Sequence, residues 1–266
     1  MTKVLAALDN SLAGKPVLAT GQALAELLGT DLEAVHVKVD GDRTARNAAE
    51  AARVALRALE GPVVERLVEA GAADDVVAFV LGARGTPGGR RPLGGTAMSV
   101  ATALLKLVVV VPPEPHLPKT IRRVLVPLEG TLSSSLAPRS IVKLAGKVDI
   151  VALHVYEEDS IPGFTDQPQH EQAAWAQEFL ARWCPWGLGT VRLESRVGSP
   201  GALVPATAAE CGCDLIALGW SRELAAGRAA VVRAALERAR VPVMLMPVLR
   251  AEDLSATGKA AEGVPA

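Results

Sequence analysis

The chain spells one pattern twice, 120 residues apart. Lys3-Val4-Leu5-Ala6-Ala7-Leu8-Asp9 is answered by Arg123-Val124-Leu125-Val126-Pro127-Leu128-Glu129, and Ala34-Val35-His36-Val37 by Ala152-Leu153-His154-Val155. The apolar run at 75–82 is answered by 214–219, and the strand-like run ending at Pro112 by 241–247. A period this long does not suit a solenoid; it suits two whole domains of ordinary size. The expected division is 1–112 and 121–248, joined by a proline-rich and therefore semi-rigid linker at 112–120. The polar stretch 249–266 has no periodicity and is expected to be a disordered tail.

Within each repeat, short apolar runs alternate with segments of helical spacing. In the first repeat, strands are expected at 3–8, 32–37, 76–81 and 107–111. Helices are expected at 12–28 (closed by Gly29), from about Thr44, at 62–71, and from Ala97 to about Leu105. A third strand is expected at 54–59, although that stretch also reads as more helix. Strands alternating with helices predict a parallel sheet covered by helices on both faces. The second repeat is the longer one. From Val37 to Gly61 is 24 positions, whereas from Val155 to Gly198 is 43, which accommodates an inserted loop and a longer helix carrying Trp175, Phe179 and Trp183.

The chemistry concentrates at 81–96, Leu-Gly-Ala-Arg-Gly-Thr-Pro-Gly-Gly-Arg-Arg-Pro-Leu-Gly-Gly-Thr. This segment lies between the C-terminal end of an expected strand and the start of an expected helix, where open α/β sheets bind ligands. A helix start presents free N–H groups and a positive dipole end, so an anion is the natural guest. Arg84, Arg90 and Arg91 can add charge-assisted contacts to phosphate oxygens. The same composition also suits a plain surface loop. The spacing is neither Gly-x-Gly-x-x-Gly nor a P-loop; Gly82, Gly85, Gly95 and Thr96 stand as Gly-x2-Gly-x9-Gly-Thr.

Composition removes several classes. With 28 basic against 29 acidic residues there is no concentrated basic surface for nucleic acid, and one Tyr, three Phe and four Trp make a poor base-stacking platform. No apolar run approaches the ~20 residues of a membrane span, and Met1-Thr2-Lys3 leads into a strand with no signal-peptide architecture, so the expected location is the cytoplasm. Three cysteines are too few for a disulfide scaffold, and the pair Cys211-x-Cys213 lacks the further ligands of a metal site. The paired histidines His36 and His154 have no acid or nucleophile nearby in the sequence and read as structural.

The glycine spacing resembles the ATP-binding signature of the universal stress protein family. The resemblance covers residues 3–112 and 122–247, with Val197-Gly198-Ser199-Pro200 and Asp214–Gly219 carrying it in the second repeat. It implies two tandem, Rossmann-like, adenine nucleotide alpha hydrolase-like sheets, each open, parallel and five-stranded in the order 3-2-1-4-5. It also implies pairing through the last strand, so that a tandem chain looks like a fused dimer, with a further homodimer left open. By resemblance, Asp9 contacts the ribose hydroxyls, and Val37 with the backbone around Ala7 and Leu8 borders the adenine. Gly82, Gly85, Gly95 and Thr96, flanked by Leu81, Arg84 and Ala97, hold the phosphates of ATP, with or without Mg. Asp9 has a plainer use in the cap-rich triplet Asp9-Asn10-Ser11, and Thr96 as a helix N-cap. In the second repeat Arg222 stands where the second glycine would be, Val232-Arg233 replaces Gly-Ser/Thr, and Glu129 replaces Asp9. That half is expected not to hold ATP in the family manner; it is a structural partner or uses Arg222, Arg228 and Arg233 otherwise. The expected function is a nucleotide-dependent regulator in stress response with one ATP per chain and a protein partner. The alternatives are a slow ATPase and an interaction module without nucleotide.

Overall fold

Ten strands and seven helices follow one another as the alternation requires, in a computed structural model that describes residues 1–11, 13–38, 43–83, 94–115, 119–128, 147–156, 168–183 (backbone only at 168–173 and 182–183), 191–222 and 229–248. The first half contains β1 (Lys3–Leu8), α1 (Gly14–Leu28), β2 (Asp31–Val37), α2 (Arg43–Ala52), β3 (Ala55–Leu59), α3 (Val63–Ala72), β4 (Val76–Gly82), α4 (Gly95–Ala103) and β5 (Leu107–Val111). The second contains β6 (Arg123–Pro127), β7 (Asp149–Tyr156), α5 (Pro168–Trp183), β8 (Val191–Val197), α6 (Pro200–Glu210), β9 (Leu215–Trp220), α7 (Ala230–Arg238) and β10 (Val243–Pro247). Of the stretch 54–59 expected as a third strand, Ala55–Leu59 is strand. Helix α1 starts two residues later than its apolar spacing suggests and ends where expected, with Gly29 left-handed (φ 68) and its N–H on the Ala25 and Glu26 carbonyls. Helix α4 starts two residues earlier than expected, at Gly95.

One expectation is corrected. The two repeats do not form two separate sheets but one of ten strands, ordered β3-β2-β1-β4-β5-β10-β9-β6-β7-β8. Each half keeps the order 3-2-1-4-5, and the halves meet where β5 and β10 run antiparallel, Val110 opposite Val243, Val109 opposite Met244 and Val108 opposite Leu245. The physical reason lies in Leu107–Val111. Its four valines are buried on both faces, and as a sheet edge it would expose a full row of unpaired N–H and C=O groups. The true edges, β3 and β8, instead carry charge: Arg57 pairs with Glu33 at 3.0 Å, and Arg192 with Glu194 at 3.2 Å.

Side chains alternate across the sheet, so each strand feeds two cores. Val4, Ala6 and Leu8 pack with Val17, Leu18 and Leu24 of α1 on one face. Leu5 packs with Leu67 of α3 and Val100 of α4 on the other. Both cores continue across the β5–β10 seam into the second half, to Ile150 and Met244 on one face and to Ile216 and Leu245 on the other. Trp220, fully buried at the end of β9, sends its indole N–H to the Ala101 carbonyl of α4 at 3.0 Å, and Lys147 reaches the Leu27 carbonyl of α1 at 3.1 Å. The halves are thus joined by backbone pairing, by apolar packing and by these two hydrogen bonds.

Candidate functional site

Strand β1 is the first-half strand from which the chain leaves in both directions, through β2 to β3 on one side and through β4 to β5 on the other. Such a switch point opens a crevice at the carboxyl ends of the strands. Here it is a cavity of about 520 Å³. Its floor comes from the ends of β1 (Ala7, Leu8, Asp9), β2 (Val37) and β4 (Leu81, Gly82), and one wall from the first turn of α4 (Gly95, Thr96, Ala97). Parallel pairing brings these together, with Leu8 opposite His36 on β2 and Ala7 opposite Leu81 on β4. All nine described members of the expected site therefore line one cavity. Arg84 and Gly85, with Arg90 and Arg91, lie outside the described residues, as do Arg228 and the stretch 249–266.

The α4 wall is suited to an anion. Gly94 is its N-cap, extended at φ −64 and ψ 158, and among the described residues no side chain caps the helix or puts an acid in its first turn. The backbone N–H groups of that turn and the positive end of the dipole are consequently presented to the cavity. Thr96 is the second helical residue, so its expected capping use is not what the structure shows. A Cβ placed on Gly95 would meet no heavy atom within 4 Å. The glycine thus keeps space clear above the helix start. The loop is closed at its base, where the Gly94 N–H donates to the Ala83 carbonyl and the Ala83 N–H to the Val111 carbonyl, both at 2.8 Å.

Asp9 has the local use that its triplet suggested. Its Oδ1 accepts from the Ser11 N–H at 3.0 Å and the Ser11 hydroxyl at 2.5 Å, and the Ser11 oxygen accepts from the Ala13 N–H at 3.1 Å. This turn leads the chain into α1 while leaving Asp9 exposed at the cavity. Asn10, Ala13, Gly14 and Val17 at the α1 entrance, Val63 and Leu67 of α3, and His36 also line the cavity and were not anticipated there. Helical spacing marked the apolar ones only as core. For His36 a signal did exist, its recurrence as His154. The structural reading holds for one nitrogen of each ring: His36 Nδ1 lies 2.8 Å from the Leu8 carbonyl, and His154 Nδ1 lies 2.9 Å from that of Leu128.

The second half departs from the first at the corresponding places. Arg222 keeps a left-handed backbone (φ 65) where the second glycine would stand, and the fully buried Trp220 follows Gly219 where Ala83 follows Gly82. His154 packs against Tyr156 and Phe179, both with ring centroids at 4.5 Å, and beside Trp175 at 5.9 Å. Of the two described cysteines, Cys213 is buried and its thiol is pushed up to about 12 by desolvation, while Cys211 accepts from Arg192 at 3.3 Å. Among the described residues no group of three or more His, Cys, Asp or Glu side chains is placed to hold a metal ion, and no helix is long and apolar enough to cross a membrane.

Fold and site together define an open α/β protein with a ligand crevice at its strand ends. Residues 120–247 match the Universal stress protein family. Solved structures share the fold along the whole chain. A functionally unknown protein from Pseudomonas aeruginosa PAO1 is 12% identical over 99% of this chain and 98% of its own, with a TM-score of 0.65. A universal stress protein from Archaeoglobus fulgidus DSM 4304 is 16% identical over 93% and 98%, also at 0.65. A putative universal stress protein from Pseudomonas aeruginosa UCBPP-PA14 is 12% identical over 98% of both chains, at 0.65. No curated protein matches the sequence. The family match falls on the half with the altered signature.

Proposed function

We propose that the first half binds ATP, one molecule per chain, and that the protein acts as a nucleotide-dependent regulator in stress response. One observation carries the reading: nine residues separated by up to ninety positions converge on one cavity that ends at the N-terminus of α4, whose N-cap is Gly94. In this reading the first turn of α4 and the glycine-rich loop hold the phosphates, with the backbone N–H groups donating. Asp9 uses its second carboxylate oxygen for the ribose hydroxyls, and Val37 with Leu81 gives the base an apolar seat. The residues fit the group: no side chain among the described residues caps the helix start, and Gly95 leaves open the space a phosphate needs. Mg, if it accompanied the triphosphate, would supply charge neutralisation there.

The second half serves as partner and scaffold, an intramolecular pseudo-dimer in which β10 completes the sheet of the first half and Trp220 braces α4. The domain limits 1–112 and 121–248 follow the repeat, and the cytoplasm is the compartment this function and the free cysteines suit. The test is extraction of purified protein under denaturing conditions, with nucleotide quantified against protein, beside titration with ATP. Close to one ATP per chain supports the reading. Two per chain overturns the assignment of the second half, and neither copurification nor binding overturns the ATP site in favour of an interaction module. Release of ADP over hours would make the protein a slow ATPase.

A further inference from the structure

Helix α4 has little of its own to hold it in place. It has nine residues, fewer than the roughly 12–15 at which an isolated helix becomes even marginal in water, so tertiary contacts decide where it stands. Its buried side chains are Ala97, Val100 and Ala101, two of which bring only a methyl group to the core. At its C-terminal end the Leu104 N–H closes the last turn on the Val100 carbonyl, and Leu104 itself is extended at φ −77 and ψ 133. The Ala101 carbonyl would need the next N–H, that of Leu105, which the turn away at Leu104 denies it. Among the described residues no backbone N–H outside the helix donates there either; the donor is the indole N–H of Trp220, at 3.0 Å.

Trp220 is the largest fully buried side chain among the described residues, and it shares one core cluster with Ala97, Val100 and Ala101. It comes from the other half of the chain, from the position that follows Gly219 as Ala83 follows Gly82. Ala83 has no side-chain donor, so the first half returns no such bond to α7. The bond runs one way, from the half with the altered signature to the helix that bounds the cavity. At its other end α4 is tied to β4, through the Gly94 N–H on the Ala83 carbonyl at 2.8 Å. Ala101 lies six residues beyond Gly95, about 9 Å along the helix axis, and Trp220 does not line the cavity. Any effect of Trp220 on a ligand is therefore exerted through α4.

Resting on the nucleotide reading above, we propose that Trp220 is a positioning residue for the phosphate contacts: by capping the C-terminal end of α4 it fixes where the N–H groups of the first turn stand, so that the second half sets the nucleotide affinity of the first. A helix this short moves as a rigid element, and holding it at Ala101 also holds Gly95, Thr96 and Ala97. Without the bond, α4 populates positions in which those N–H groups miss the ligand, and the apparent Kd rises as the competent fraction falls. The rise is limited by what one hydrogen bond is worth, about tenfold. The coupling is reciprocal: a ligand held by the first turn biases the bond at the far end.

The experiment compares ATP titrations of the wild-type protein, Trp220→Phe and Lys147→Met. Each variant removes one of the two side-chain hydrogen bonds described between the halves; that of Lys147 falls on the Leu27 carbonyl of α1, at 3.1 Å, and that of Trp220 on α4. If both bonds only join the halves, each loss lowers Tm and neither lowers ATP affinity. Trp220→Phe is expected to bind ATP about 3- to 10-fold more weakly, and Lys147→Met to bind it as the wild-type protein does. In the wild-type protein the indole N–H resonance of Trp220 is expected to move when ATP is added, a readout that needs no variant to fold. Wild-type ATP affinity in Trp220→Phe, an equal loss in both variants, or an indole resonance that stays in place overturns the positioning role and leaves the ATP site standing. Failure of the wild-type protein to bind ATP overturns both.

Discussion

Replacing Gly95 by alanine separates what the first turn of α4 does for folding from what it does for binding. Gly95 is the first residue of the helix, its φ is not left-handed, and a Cβ there meets nothing within 4 Å. Alanine therefore fits without strain, and the reduced freedom of the unfolded chain should stabilise the fold by about 0.4–1 kcal/mol. For a chain of this size that raises Tm by roughly 1–4 °C. The same methyl group enters the space over the helix N–H groups, where a phosphate oxygen would have to lie about 2.9 Å from a backbone nitrogen. Losing one hydrogen bond to a charged group costs about 1.5–3 kcal/mol, or roughly 10- to 150-fold in Kd. Thermal melts and ATP titrations on one preparation of Gly95→Ala should thus move in opposite directions, and Gly95→Val should weaken binding further. Undiminished ATP affinity would remove α4 from the site. A lowered Tm would show that the glycine is there for the backbone and not for the ligand.

Two further outcomes follow from the contacts described. Trp220→Phe keeps an aromatic side chain, a smaller one, but deprives the Ala101 carbonyl of its donor, at a cost of about 1–3 kcal/mol for the bond; a Tm lowered by several degrees is expected, and an unchanged one would mean that this bond does not brace the two halves. Cys213 has a folded pKa raised from 9.0 to about 12 by burial, so the unfolded chain gives up this proton first as pH rises. The stabilisation is fully present below pH 9 and is lost between 9 and 12; denaturant midpoints of the wild-type protein should fall faster over that range than those of Cys213→Ala, and parallel curves would contradict the assignment.

Much was legible before any coordinates. The repeat at 120 residues, the apolar runs and the glycine spacing name the elements and their order, because hydrophobic periodicity and glycine placement are local properties of the chain; the family resemblance names the nine residues that line one cavity. The limits of α1 and α4 moved by two residues, since a helix start depends on which N–H groups find partners and not on apolar spacing alone. Arg57 and Glu33 show how weakly a sequence marks an edge: each is an ordinary charged residue until β3 is known to have no outer neighbour.

What sequence alone determined is the α/β alternation, the duplication and the loss of the glycine signature in the second half. Tertiary structure decided the rest. The run Leu107–Val111 has the same sequence whether it ends one sheet or joins two, and only the antiparallel match with Val243–Pro247 makes the sheet one of ten strands. His36 and His154 are equivalent in sequence and make the same bond to a carbonyl, yet one ring is enclosed by aromatic neighbours and the other lines the cavity with a nitrogen unpaired. Such differences arise from what packs around a residue from distant parts of the chain, which local periodicity does not carry.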